Sequence, residues 1–521
     1  MLAIPKTAFS IYICIQVSMK KIEKTPPGQN YQQYLQHMQK IADIRFANAV
    51  LQWDQETFLP SKGAMARGRQ IATLSETAHA LFSQEWFGDL LKQLNADERL
   101  DEKQRKNVQL SLEDYDKNKR YKPAFVRALS EQVNKTFHAW LDARKKNDFR
   151  VWQTELERLL TLKKEESHIL GFEKNPYDAH LNEYDKGITV SFLDQTFATL
   201  IPELQRIQQA AQLKQTGPQP VFNGIFDADE QWRIGLMILK KMGFDFEAGR
   251  QDRSEHPFTI SFHPQDVRIT TRINEQDPAQ MIWTCIHEGG HALYEQGLPA
   301  DAYGLPLGEA CSYSIHESQS RFWEMGIGRS RAFCHFLFPY LKNSFPEAFN
   351  RWNEEKLYQS VNWIQPSLIR TEADEVTYHY HVAARYELEK KLLNNELKAK
   401  DIPTLWADYY QGYLGLSVPD DNNGCLQDVH WAHGSLGYFP TYSLGSLYGV
   451  QMLNSFTTTH PDWEKEVKSG NFSIAYQWLD KNIYRHGKLF NSLELCNIST
   501  GNPLETGQFK TYLENKFLNL H

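Results

Sequence analysis

His287-Glu288-Gly289-Gly290-His291 constrains this chain more than any other stretch, because its two imidazoles can act together only on a helical backbone. Residues four apart share one helical face, so the rings of His287 and His291 can converge on a single ion. Glu288, beside that pair, can then accept a proton from metal-activated water instead of binding the metal. The competing reading is a pair of structural core histidines, and the flanking residues weigh against it. Asp277 as N-cap, Pro278 at the first helical position and Gln280 three residues past the cap start a helix, which Gly297 and Pro299 stop. Met281, Ile282, Cys285, Ile286, Ala292 and Leu293 provide its apolar anchorage. Gly289 and Gly290 each cost about 1 kcal/mol of helix propensity relative to Ala, which implies a close approach to the backbone there.

A catalytic zinc takes three protein ligands and keeps an open position, so a third ligand is required. The extended pattern HExxHxxGxxH is absent, since Tyr294 and Gly297 occupy the places of its Gly and its last His. Glu295 lies about 6 Å further along the helix axis than His291, which is poorly suited to an ion held between 287 and 291. Glu309, His316, Glu317 and Glu324 remain as candidates. Leu307 to Trp323 reads as a second helix after the Gly304-Leu305-Pro306 break, and spacing alone favours Glu317 only slightly over Glu309.

The chain has 521 residues, 41% hydrophobic and 13% aromatic, with a formal charge of −7. A chain that is acidic overall carries no electrostatic footprint for nucleic acid, so none is expected as a partner. Amphipathic stretches such as Tyr31 to Trp53, Val151 to Leu170 and Ala383 to Leu397 dominate, with no linker or internal repeat between them. The alternating run Phe258 to Ile273 is the best strand candidate and predicts a small sheet near the HExxH helix. Cys14, Cys285, Cys311, Cys334, Cys425 and Cys496 are scattered, which argues against disulfides and for the cytoplasm. Cys285 reads as a small buried hydrophobe. The apolar run Ala8 to Val17 is too short to span a bilayer. Residues 1–18 therefore read as a mis-called start or weak signal-like extension ahead of Met19, with 19–521 as a single domain.

The string Ile315-His316-Glu317-Ser318-Gln319-Ser320-Arg321 resembles the HES(Q) block of the M32 metallocarboxypeptidases of the Taq type. Further blocks of that family occur in order: His256-Pro257-Phe258, Asp266-Val267-Arg268-Ile269-Thr270, HEGGH, Ile369 to Asp374, and Gly424 to Trp431. Trp53 to Pro60 and Ile71 to Ser75 also resemble it, so the likeness runs from about Tyr31 to the C-terminus. Ser314, and Met325-Gly326 after Glu324, depart from the usual pattern without touching a ligand or the base.

The resemblance implies a mostly α, large helical peptidase fold, with a deep active-site groove and a small β-sheet beside the HExxH helix. It selects Glu317 as the third ligand with His287 and His291, holding one Zn²⁺ per chain, or Co²⁺ in its place. It assigns Glu288 as base and Tyr442 as oxyanion donor, and His430 as a hydrogen-bond donor to substrate. Arg370 becomes the candidate for the substrate's free C-terminal carboxylate, because a guanidinium matches two oxygens at once. The bland alternative is an ion pair with Asp374 one helical turn later. Arg268 is a further pocket candidate. Asp374, Gln427 and Asp428 suit hydrogen bonding to the ligand imidazoles. The implied activity is removal of single C-terminal residues from peptides, with broad specificity, by a cytoplasmic homodimer that needs no membrane. An endo- or dipeptidyl-type metallopeptidase is the alternative on the same site, and a catalytically silent zinc-binding protein is a third reading.

Overall fold

The computed structural model describes residues 28–518, so the segment 1–18 lies outside the described residues. Helices dominate. The ones that build the site are labelled here in chain order: α1 (Gln29–Thr57), α2 (Ala228–Met242), α3 (Pro278–Gly297), α4 (Tyr313–Arg321), α5 (Tyr378–Leu393) and α6 (Pro440–Thr459). The amphipathic stretch from Tyr31 falls within α1, and that from Val151 within the helix Arg150–Leu170. The stretch from Ala383 starts later and ends later than α5 itself, which is buried on nearly every side.

One extended core runs from Trp140 to Phe517, and a smaller cluster around Tyr34, Phe82, Phe87 and Leu91 packs the N-terminal helices. The axis of the large core is α3. Its start is as the sequence implies, with the Asp277 carboxylate accepting from the amide of Ala279 at 3.0 Å, but Gln280 forms no capping box. Met281, Ile282, Cys285, Ile286, Ala292 and Leu293 are all at most 1% exposed. Burying a side chain of this kind is worth about 1.5–3 kcal/mol, so this helix is held from several sides.

Three short strands form one sheet in the order β1-β3-β2: β1 (Gly249–Arg253), β2 (Thr259–His263) and β3 (Asp266–Thr271). The run from Phe258 is thus a hairpin of two strands, with Ile260 paired to Arg268, and not one continuous strand. β1 runs parallel to β3, with Gln251 opposite Ile269. The sheet lies against α3.

The second motif helix is shorter than its sequence suggests. Pro306–Gly308 is an isolated 3₁₀ turn, and α4 begins only after Ser312, whose hydroxyl accepts from the amide of Ile315 at 3.1 Å. A π-helical segment, Phe322–Gly328, continues from α4. Such π segments often mark functional sites.

Candidate active site

Two glycine contacts bring the motif helices together. A Cβ at Gly290 would stand 2.6 Å from the carbonyl oxygen of Gln319 and 2.7 Å from the Cα of Ser320, so α3 and α4 touch backbone to backbone. On the other side of α4, a Cβ at Gly445 of α6 would stand 2.4 Å from Cγ of Glu317. The Glu317 side chain therefore lies wedged between two helices, aimed at the face of α3 that carries His287 and His291. Gly289 serves a different contact, with Leu239 and Met242 of α2.

The result is a convergent donor set. Nε2 of His291 is 3.5 Å from Oε2 of Glu317, and Nε2 of His287 is 3.8 Å from the same oxygen. Two ligands of a tetrahedral zinc stand about 3.4 Å apart, so these separations suit one ion. Among the described residues, His287, His291 and Glu317 form the group able to hold a metal. Glu317 is fixed by Arg321, whose Nε donates to Oε1 at 2.7 Å, and by the Ser320 hydroxyl at 3.1 Å from Oε2. Burial would raise its carboxyl, but Arg321 and the two imidazoles hold it far below the usual carboxylate range. It is therefore an anion ready to ligate.

Both imidazoles are tied from behind. His287 Nδ1 donates to Oε2 of Glu324 at 2.9 Å, while His291 Nδ1 lies 2.6 Å from Nδ1 of His316. Burial opposes ionisation of Glu324, yet the His287 bond and the charges of Arg329 and Arg321 hold it down at about 2. Three of the four candidates for third ligand thus cluster here, Glu317 within the donor set and His316 and Glu324 behind the imidazoles. Glu309 is exposed and pairs with Lys488 at 3.0 Å. The expectation that Asp374, Gln427 and Asp428 back the imidazoles is corrected here. Asp374 caps the turn at Thr377, Gln427 binds the backbone of Arg370, and Asp428 pairs with Arg370 and Arg385.

Glu288 opens onto a groove of about 1480 Å³, together with His287, His291, Tyr438 and Tyr442. The hydroxyl of Thr259, on edge strand β2, donates to Oε2 of Glu288 at 2.6 Å and to its backbone oxygen at 3.0 Å. Thr259 is a site residue that the sequence reading missed, and its position just after His256-Pro257-Phe258 is the signal that could have found it. Tyr438 is another, four residues before Tyr442. Burial pushes the Tyr442 phenol well above its ordinary value, so it remains a protonated donor. His430 Nε2 is 3.1 Å from that phenol oxygen, and burial drives its imidazole down to about 3, leaving it neutral. His430 touches Tyr442, and it is absent from the groove wall.

Each of the two arginines is held by a neighbouring carboxylate. Arg268 grips Asp266 through Nε at 3.0 Å and Nη2 at 3.1 Å, and its guanidinium stacks 4.3 Å from the Trp53 ring of α1. It braces the sheet against α1 and is not on the groove wall. Arg370 is 7% exposed, behind Tyr442, whose ring centroid is 4.8 Å from the guanidinium carbon. Its Nε and Nη2 donate to Asp428 at 3.0 and 2.9 Å, and Nη1 donates to the Tyr378 hydroxyl at 3.1 Å. Asp374 is not its partner, because the segment after Arg370 is a single 3₁₀ turn and no helix aligns the two. Cys285 is fully buried with its thiol pushed up to about 12 by burial, in keeping with a packing role.

A helical scaffold carrying an HExxH helix, a glutamate from a neighbouring helix and an open groove defines a metallopeptidase. Residues 33–517 match the family of carboxypeptidase Taq (M32) metallopeptidases. Carboxypeptidase 1 of Bacillus subtilis (strain 168) is 35% identical over 493 residues, covering 93% of this chain and 97% of that protein. The crystal structure of the M32 carboxypeptidase from Deinococcus radiodurans R1 superposes with a TM-score of 0.92 at 37% identity, covering 94% of this chain and 99% of the other. A solved structure of a protein called CHT gives 0.93 at 50% identity, covering 94% and 100%. The chain belongs to the M32 family of metallocarboxypeptidases, and it is a peptide hydrolase. No helix among the described residues is long and apolar enough to cross a membrane.

Proposed function

We propose that this enzyme is a zinc-dependent carboxypeptidase that removes single residues of broad type from the free C-terminus of peptides. The observation that carries the reading is the convergence of His287, His291 and Glu317 beside a groove into which Glu288 opens. Those three residues would hold a divalent cation, which would supply Lewis acidity toward water and the scissile carbonyl. Glu288, oriented by Thr259, takes the proton of the attacking water and returns it to the departing amine. Tyr442 donates to the carbonyl oxygen as negative charge develops on it, while neutral His430 fixes the phenol's direction.

Arg370 is the residue proposed to attract the terminal carboxylate. Arg370 and Arg385 share the single carboxylate of Asp428, so two buried cations face one anion. A substrate carboxylate entering past Tyr442 would offset the excess, and Arg370 has N–H groups beyond those already bound. Arg268, braced on Asp266 and Trp53, shapes the sheet under the groove. We further read 19–521 as one domain, and the family likeness supports one Zn²⁺ per chain, a homodimer and a cytoplasmic location.

Digestion of a peptide mixture by the metal-loaded enzyme, followed by mass analysis, tests the proposal. Ladders shortened one residue at a time from the C-terminus, with amidated peptides spared, are expected. Internal fragments or released dipeptides would favour the endo- or dipeptidyl-type alternative.

A further inference from the structure

His291 is the one ligand imidazole with no carboxylate directly behind it. Its Nδ1 faces Nδ1 of His316 at 2.6 Å, and Nε2 of His316 faces Oε1 of Glu295 at 2.8 Å. The two rings lie 4.6 Å apart between centroids, inclined by 30°. Glu295 and His316 both line the groove, close to the donors that converge on Glu317. Nothing in the mechanism above uses either residue.

The direction of this chain follows from its metal end. If Nε2 of His291 gives its lone pair to a cation, its only proton is on Nδ1, which must donate. Nδ1 of His316 must then accept, which puts the His316 proton on Nε2, aimed at the Glu295 carboxylate. Each member therefore has one allowed tautomer. The reverse arrangement would put a proton on the ligating nitrogen of His291 and exclude the ion.

We infer that His316 and Glu295 are positioning residues for metal binding: a two-step relay by which a carboxylate, acting through a second imidazole, fixes the tautomer and orientation of His291. Glu324 does the same for His287 in one step. The relay explains why Glu295, on the motif helix one turn past His291, is useful without being a ligand. It also joins α4 to α3 through a second polar contact besides Glu317. Partners of this kind contribute about 10- to 100-fold in metal affinity.

The inference rests on the metal-site reading, and its test separates the two. Wild type, His316→Leu, His316→Asn, Glu295→Gln and the double variant His316→Leu/Glu295→Gln are stripped with a chelator. Zn²⁺ affinity is then measured by competition with a chromophoric chelator, with far-UV circular dichroism confirming the fold of each metal-free protein. Failure of wild type to bind Zn²⁺, or binding that survives Glu317→Gln unchanged, would overturn the metal site itself. With the site intact, His316→Leu should weaken Zn²⁺ by about 10- to 100-fold. His316→Asn restores an acceptor for His291 and should recover part of that loss. Glu295→Gln should weaken binding in the wild-type background and change it less than about twofold in the His316→Leu background, since it acts only through His316. Affinity of His316→Leu within about threefold of wild type, or an equal effect of Glu295→Gln in both backgrounds, would overturn the relay. Should His316→Leu fail to fold, unchanged affinity in Glu295→Gln overturns it, and a loss rescued by no other variant than the reverted one supports it.

Discussion

A Cβ on Gly290 would lie 2.6 Å from the carbonyl oxygen of Gln319, two residues beyond Glu317, the proposed third ligand. The contact is between main chains and has no flexible side chain to yield. Gly290→Ala should therefore push α3 and α4 apart, destabilising the fold by about 1–3 kcal/mol and weakening metal retention. Gly68→Ala is the control, because a Cβ there meets nothing within 4 Å on an exposed helix. It should raise stability by up to about 1 kcal/mol. Thermal unfolding and metal content of both variants check the pair, and a Gly290→Ala protein as stable as Gly68→Ala would refute the close approach.

Removing the charge of Glu317 should remove the metal. Glu317→Gln retains the shape of the side chain but loses the anion that Arg321 and the imidazoles hold ionised. Metal content of the purified variant should fall sharply, while Glu309→Gln, exposed and paired with Lys488, should retain it. Equal metal in the two variants counts against the assignment.

Binding and chemistry should come apart at Glu288 and Tyr442. Glu288→Ala should keep its metal and lose about 10²- to 10⁴-fold in kcat. Tyr442→Phe should lose about 10²- to 10³-fold, also with metal retained. An unchanged kcat for Tyr442→Phe would return that ring to packing, with Tyr438 the next phenol on the groove wall to test.

The helix of HEGGH was legible because its evidence is local: an N-cap, a proline, a stop and two histidines at helical spacing. Glu317 was not separable from Glu309 by spacing, since the choice depends on which residue Gly290 and Gly445 admit between α3 and α6. β1 escaped notice because Gly249-Arg250-Gln251-Asp252-Arg253 has no apolar alternation, and only its pairing with β3 makes it a strand. The early start given to α4 came from Leu307, which is buried in a separate 3₁₀ turn. Asp428 looked suited to a metal imidazole but belongs to Arg370 and Arg385, partners 58 and 43 residues away. Contacts of that range leave no periodic trace in a sequence.

Stability should fall as pH rises through the range set by Glu389. This carboxyl is buried beneath the Gly424–Trp431 block, where it accepts from Trp431 Nε1 at 2.6 Å, from Gly437 N at 2.8 Å and from the Tyr177 hydroxyl. Burial outweighs those donors and pushes it up from 4.5 to about 7. The folded state therefore binds more protons than the unfolded state between those values, so its contribution is fullest below about 4.5 and is lost on the way to about 7. The loss is on the order of 3 kcal/mol. Glu389→Gln should be less stable at low pH, because one amide cannot accept all three bonds, and should lack the slope. Urea unfolding of both proteins from pH 5 to pH 8 measures it, and parallel curves would exclude Glu389 as the source.

The relationship most specific to a carboxypeptidase is the one proposed between Arg370 and a free terminal carboxylate. Two guanidiniums sharing Asp428 leave positive charge behind Tyr442, and a charge-assisted hydrogen bond to substrate there is worth about 1.5–3 kcal/mol. Arg370→Ala should then cut kcat/KM on free-acid peptides by at least about tenfold and erase most of the preference for acid over amide. Arg370→Lys should recover only part, since an ammonium cannot hold Asp428 and a substrate oxygen in one planar fork. The same variant releases Asp428 from one partner, so unfolding must be measured alongside: a stability loss with acid-over-amide discrimination intact would make Arg370 a purely structural cation. In that outcome the carboxylate must be recognised by a cation on the groove wall, and Lys488, which lines it beside Glu309, is the first to replace.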